Sequence, residues 1–217
     1  MDRPLSLALV SLPTFPRLLK RALDLVGAAV GLLVLSPVLL LIALAVRLES
    51  PGPALYRRQV LGLGGKAFDA YKFRTMVRDA DEMLEKMLQQ NPHLRQEFEK
   101  GFKLKDDPRI TPLGRFLRRY SLDELPQLVN VLKGEMSLVG PRIISPSEAA
   151  HYGDFLPLRL SVLPGLTGLW QVSERNDLPY RERMALDAHY IRHYSLWLDL
   201  KILLKTIPVV LKGKGAY

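Results

Sequence analysis

The stretch LVGAAVGLLVLSPVLLLIALAV, Leu25 to Val46, decides the fold. It is apolar throughout except for the Ser36 hydroxyl. As a helix it would run roughly 33 Å, enough to cover the hydrocarbon core of a bilayer. Pro37 has no N–H to give and its ring clashes with the preceding turn, so a kink or break is expected at Ser36-Pro37. Each half would then reach only about 16 Å, half a membrane. Two topologies satisfy this: a kinked span, and a re-entrant hairpin that enters and leaves on one face. Arg17, Lys20 and Arg21 stand before the stretch; Arg47, Arg57, Arg58, Lys66, Lys72 and Arg74 follow it. Basic residues favour the cytoplasmic side, and both ends carry them, which favours the hairpin over a span. The Ser36 hydroxyl can satisfy a backbone group that Pro37 frees. A kinked anchor with no further role fits the same charges.

Around this stretch, 217 residues suffice for one ordinary domain core. The net charge of +9 points to an anionic partner. With a membrane segment present, lipid head groups and phosphorylated substrates outrank nucleic acid, which is not expected as a partner. The absence of cysteine excludes disulfides and thiolate metal sites and fits a reducing compartment. No small-residue cleavage site follows Met1 to Pro16, so a signal peptide is not expected, and Leu5 to Leu19 reads as interfacial.

Further along, Glu49-Ser50-Pro51-Gly52-Pro53 ends the helix, and two short strands, Ala54–Val60 and Ala67–Met76, flank the glycine-rich turn at 62–65 as a hairpin. Met76, Ala80, Met83, Leu84, Met87 and Leu88 recur at helical spacing up to Asn91-Pro92, and a second short helix follows to Phe102. Thr111-Pro112 is a helix start, with a hydroxyl cap before a first-position proline. Another helix ends at Lys133-Gly134. Met136 to Val139 reads as a short strand, and Pro164 to Gly168 as an irregular loop. Tyr180 to Tyr194 reads helical, and Trp197 to Leu211 suits a helix lying in the membrane interface.

Asp123-Glu124 is the place to look for chemistry. Ser121 and Glu124 have capping-box spacing, so Glu124 could simply return a bond to the cap. Pro126 complicates that, because a helix begun at Leu122 would lose a bond there. The helix could instead start at Pro126. Either way Asp123 lies at a helix N-terminus, where the dipole favours its charge and attracts phosphate. A hard divalent ion held by one carboxylate and a diphosphate is a common magnesium arrangement. Arg118 and Arg142 can clamp phosphate oxygens bidentately, and Lys72 and Arg74 are further phosphate-binding candidates. Capping and surface ion pairs are the plain alternative.

The order of Lys20-Arg21-x-x-Asp24, Ser36-Pro37, Ser50-Pro51-Gly52-Pro53, Tyr71-Lys72-Phe73-Arg74-Thr75-Met76, Asp107-Pro108-Arg109-Ile110-Thr111, Ser121-Leu122-Asp123-Glu124-Leu125-Pro126-Gln127 and Val139-Gly140-Pro141-Arg142 resembles the bacterial sugar transferases, the monotopic phosphoglycosyl transferases. The likeness runs from Arg17 to the C-terminus. It implies transfer of a sugar 1-phosphate from a UDP-sugar to a polyprenyl phosphate such as undecaprenyl phosphate, with release of UMP. It implies Asp123 as the nucleophile that carries a covalent phosphosugar, Glu124 as a ligand of Mg2+, and Arg118 and Arg142 at the phosphates. It implies that Ser36-Pro37 turns the membrane helix back on itself.

The expected fold is therefore α+β and mainly helical. It is a monotopic membrane protein with a re-entrant helix-break-helix hairpin, interfacial amphipathic helices and a small β-hairpin. Residues 1–48 would form the N-terminal segment and hairpin, and 49–217 a catalytic domain on the cytoplasmic face of the bacterial inner membrane. Membrane lipids are expected partners, and a homo-oligomer is compatible. The segment from Pro164 to Ser173, with Tyr190 and Ser195 to Asp199, resembles the branch that primes exopolysaccharide, capsule or O-antigen synthesis, where glucose or galactose 1-phosphate is mostly moved. Many relatives carry glycine-arginine where this chain has Glu174-Arg175, and many carry an N-terminal block of membrane spans. An N-acetylated or diamino sugar donor remains an alternative, as does a non-catalytic scaffold that binds lipid phosphates.

Overall fold

The computed structural model of the chain describes residues 14–101, 104, 106–173 and 179–213. The expected interfacial segment Leu5–Leu19 lies mostly outside them, as does Glu174-Arg175. Helix α1 (Thr14–Glu49) leads into strands β1 (Leu55–Leu61) and β2 (Ala67–Phe73), which pair antiparallel from Leu55↔Phe73 to Leu61↔Ala67. Helices α2 (Ala80–Gln90), α3 (Pro92–Gly101), α4 (Pro112–Arg119) and α5 (Leu128–Lys133) follow. Strand β3 (Ser137–Val139) comes next, then the one-turn helices α6 (Pro146–Ala149) and α7 (Leu156–Arg159) and strand β4 (Gly165–Thr167). Helices α8 (Tyr180–Arg192) and α9 (Leu196–Lys212) close the described chain. The described residues are mainly helical, with two small two-stranded sheets among them.

Helix α1 corrects the expected helix-break-helix. It runs unbroken through Pro37 as one element of 36 residues. The physical reason lies in one bond. Pro37 cannot donate to the carbonyl four residues back, Leu33 O, and the Ser36 hydroxyl donates to that oxygen instead, at 2.8 Å. The anticipated rescue is present, and it keeps the helix continuous.

One stripe of α1 packs on the domain along much of its length. Ala28 joins a core with Val60, Ala70, Leu128, Val131, Met136 and Ile143, while Ile42 and Val46 join Phe73 and Leu117. Both ends are tied down. Lys20 Nζ donates to Val139 O (3.0 Å) and to Asp199 (2.7 Å), Arg21 donates to the last carbonyls of α5, and Asp24 accepts from Ser137 Oγ and Leu138 N. At the other end the Glu49 carboxylate accepts from Leu113 N at 2.9 Å. The opposite side of α1, from Leu18 through Val26, Leu33 and Leu40 to Leu48, is exposed and apolar. An apolar helix face left this open is the form a membrane-contacting surface takes, and α1 is long and apolar enough to cross a bilayer.

The segment Pro164–Gly168, expected as loop, contains β4, paired parallel with β3. Glycine here serves close backbone approach rather than a turn. A Cβ on Gly140 would come 2.7 Å from Leu163 O and 2.9 Å from Gly165 N. Several of the expected local elements form with small shifts. The hairpin forms, Thr111 Oγ1 caps α4 by accepting from Gly114 N (3.0 Å), and Gly134 ends α5 at φ 82°.

Candidate active site

Asp123 and Glu124 lie on a short 3-10 segment, Leu122–Gln127, between α4 and α5. Neither sequence alternative holds as drawn. The helix starts only at Leu128, and the Ser121 side chain makes no cap bond. Ser121 instead turns the chain out of α4 in the left-handed region, at φ 54° and ψ 22°. It is the one non-glycine residue with positive φ among those described, and such backbone outliers gather at functional sites.

With no cap to return to, the Glu124 carboxylate is free to face inward. Its Oε1 accepts from Lys72 Nζ at 2.6 Å and from Arg142 Nη2 at 2.8 Å. The same Lys72 Nζ stands 3.9 Å from Asp123 Oδ2. Lys72 comes from β2, the carboxylates from the 3-10 segment, and Arg142 from the turn after β3. Arg118, in the last turn of α4, donates through Nε to Thr75 Oγ1 at 2.9 Å. Burial lowers the Arg118 pKa, and Asp123 is the strongest charge acting against that lowering.

The two neighbouring carboxyls are driven in opposite directions. Burial pushes the Asp123 pKa up, with Lys72 opposing it. Burial also acts to raise Glu124, but the Arg142 and Lys72 cations outweigh it and hold this carboxyl well below the usual range. A pair whose environments separate their pKa values is a pair with separate tasks. Glu124 is locked as a permanent anion. Among the described residues no hydrogen bond to the Asp123 side chain is seen, and its near cation is Lys72 at 3.9 Å.

Both line a cavity of about 480 Å³ together with Lys72, Arg118 and Arg142. Lys72, Arg142 and the stretch holding Arg118, Asp123 and Glu124, separate in the sequence, thus share one cavity. Arg74 touches the same cavity, but its guanidinium is taken by backbone carbonyls of Ser50 and Pro51 just past α1. That is a helix-end capping role. Ser36 and Pro37 do not line the cavity. Among the described residues no group of three or more histidine, cysteine or acidic side chains could hold a metal. Asp123 and Glu124 offer only hard carboxylate oxygens, a set that suits magnesium when substrate phosphates and water complete its shell.

Over residues 15–213 the chain matches the family described as bacterial sugar transferase. It belongs to that family. The chain is 50% identical over 201 residues to an undecaprenyl-phosphate galactose phosphotransferase of Salmonella typhimurium, covering 93% of this chain and 42% of that protein. It is 44% identical over 198 residues to the exopolysaccharide production protein ExoY of Rhizobium meliloti, covering 91% and 88%. It is 42% identical over 210 residues to a UDP-glucose:undecaprenyl-phosphate glucose-1-phosphate transferase of Escherichia coli, covering 93% and 42%. The chain therefore spans about two fifths of the length of several curated relatives.

In this family member several supporting residues carry no clear mark in the sequence. Asn130, wholly buried on α5, accepts from Tyr71 N (3.0 Å) and donates to Asp69 O (2.8 Å), which docks β2 and so sets Lys72. Thr75 holds Arg118. Arg159, 2% exposed, donates through Nη2 to the carbonyls of Pro141 and Arg142, under the turn that carries the Arg142 side chain. An arginine inside the apolar run Leu156–Leu160 was the one available signal for it. Asn130 left none.

Proposed function

We propose that this protein transfers a hexose 1-phosphate from a UDP-sugar, glucose or galactose, to undecaprenyl phosphate, and that Asp123 carries the sugar phosphate between the two. The observation that carries this is the pair of adjacent carboxyls in unlike states within one cation-lined cavity. The printed activities of the relatives support the substrates. An Asp123 oxygen attacks the β-phosphorus of the UDP-sugar. The bond from that phosphorus to the bridging oxygen breaks, and UMP leaves with the oxygen and its electron pair. An undecaprenyl phosphate oxygen then attacks the same phosphorus, the bond to Asp123 breaks, and the lipid diphosphate sugar departs with the carboxylate restored.

Lys72 beside Asp123 favours its ionised, attacking form. Arg118 and Arg142 face the phosphate oxygens and neutralise charge as it shifts. Glu124, held anionic, would keep Mg2+ together with the diphosphate. When bound, the ion supplies Lewis-acid neutralisation of the leaving phosphate. The site would sit on the cytoplasmic face of the bacterial inner membrane, with the exposed faces of α1 and α9 against lipid. Because the domain grips α1 at both ends, we place both ends on one side of the bilayer. Cysteines introduced before Leu25 and after Val46 should label from the cytoplasmic side alone; labelling from opposite sides means a span.

The central experiment is UMP release from UDP-glucose and UDP-galactose with magnesium and no acceptor. The expected result is a burst of up to one equivalent, lost together with turnover in Asp123→Asn. Full activity in Asp123→Asn would remove the mechanism.

A further inference from the structure

The cavity around Asp123 has walls of two kinds. Lys72, Arg118 and Arg142 supply cations to its lining, and α9 contributes Leu203, Thr206, Val209 and Val210, a neutral wall of the same cavity. The only side-chain donor that α9 brings there is already committed. Thr206 Oγ1 donates to Ile202 O at 2.8 Å, so in the 2.8 Å contact between Thr206 and Thr167 it is Thr167 that donates. Phosphate oxygens and uracil carbonyls need donors, and this wall has none to spare. Hydrocarbon needs none.

Helix α9 also carries a second apolar face. Trp197, Leu200, Leu204, Ile207 and Leu211 recur at helical spacing and are 45 to 72% exposed. At about 100° per residue the two faces lie roughly a third of a turn apart. The strip joining them is apolar as well: Leu196, Leu203 and Val210, seven residues apart, form its ridge. Lys201, Lys205 and Lys212 fall on the far side of the helix. An apolar chain can therefore pass from the outer face of α9 into the cavity without crossing polar ground, and meet cations at the end of its path.

We propose that the α9 wall, with Leu203, Val209 and Val210 at its centre, seats the first isoprene units of the polyprenyl phosphate acceptor. This rests on the transfer reaction proposed above. The phosphate then lies among the lining cations, within the cavity of Asp123, while the rest of the chain leaves over the Leu203–Val210 ridge towards the exposed face. The helix thus selects the acceptor, and the nucleotide sugar uses other walls.

The test is steady-state kinetics of the full chain in nanodiscs, with UDP-glucose and UDP-galactose as donors and undecaprenyl phosphate or the short geranyl phosphate as acceptor. Val210→Asn and Leu203→Asn should raise the KM for either acceptor about tenfold, the scale set by a misplaced group in an apolar pocket. The donor KM should move several times less. Thr206→Val, made together with Thr167→Val so that no hydroxyl is left without its partner, adds apolar wall without adding bulk and should lower the acceptor KM about threefold. It therefore tests the proposal even where the asparagine variants do not fold. Donor KM moving as much as acceptor KM would give the wall to the nucleotide sugar and overturn the proposal. So would an acceptor KM that the paired threonine substitutions leave unchanged or raise. Absence of turnover by the unmodified protein on either donor would instead count against the transfer reaction itself.

Discussion

Two clusters of buried charge flank the Gly140-Pro141-Arg142 turn, and they differ in what they face. Lys72, Asp123, Glu124 and Arg142 open onto a cavity of about 480 Å³. Arg159 and Asp187 are buried beside Tyr152, with a void of only about 10 Å³ at hand. In the open cluster both Lys72 and Arg142 reach Glu124 directly. In the sealed one Arg159 Nε and Nη1, and Asp187 Oδ1, find no hydrogen-bond partner among the described residues. A sealed, imperfectly satisfied cluster of buried polar groups contributes little to stability. What it does here is positional, because Arg159 holds the carbonyls of the turn that aims Arg142 into the open cluster. One cluster opens onto the cavity; the other keeps the first in register.

Breaking the open cluster should have the largest effect. Arg142→Ala removes one of the two cations on Glu124 and, on the reaction proposed above, a phosphate contact, and should lower kcat/KM by about 10² to 10³, the scale of losing one charge-stabilising donor. Breaking the link should do less. Arg159→Gln should lower kcat/KM about tenfold alone but less than about twofold on top of Arg142→Ala, since residues acting through one another are not additive. Equal factors in the two backgrounds would make the sealed cluster independent of the open one.

The sealed cluster should also be visible in stability. Burial, opposed by Arg159 and Arg142, pushes the Asp187 carboxyl from 3.8 up to about 7. The folded protein then binds this proton more tightly than the unfolded chain does. Stability from this group is present below about pH 4, falls as pH rises towards 7, and is gone above it. Tm measured from pH 4.5 to 7.5 (roughly the window between the two values) should decline, and Asp187→Asn should flatten the decline. A slope unchanged in the variant would place the titration elsewhere.

The smallest effect belongs to the turn before the open cluster. Ser121→Gly should leave stability within about 0.5 kcal/mol, the relief of left-handed strain offsetting the added freedom of the unfolded chain. Ser121→Val should lose about 1 to 2 kcal/mol, because a β-branched residue fits that conformation poorly. Denaturant unfolding in detergent separates the two.

Much of this was legible in the sequence where local rules apply. Thr111-Pro112, Lys133-Gly134, the β1–β2 hairpin and helices α8 and α9 follow from caps, glycine and periodicity, which act within a few residues. The site residues Lys72, Arg118, Asp123, Glu124 and Arg142 could be named because charge and motif mark them. Arg74 carried the same mark, and its bonds to the carbonyls past α1 are not written in its own surroundings. β4 hid behind glycine and proline, whose local meaning is a turn and whose actual use is close contact with Gly140. At Ser36-Pro37 the hydroxyl's service to a backbone group freed by proline was read correctly, and that one bond carries the helical run through.

The sequence by itself determined that this chain has a long apolar helix, a compact mixed domain and a carboxylate pair among arginines, because those depend on residue type and short spacing. Only the tertiary structure decided that Lys20 meets Asp199 across 179 positions and that Lys72 and Arg142 converge on one Glu124 oxygen. It alone set the unlike states of two adjacent carboxyls. Burial and partner charge act through space, and no local pattern records which distant group will arrive.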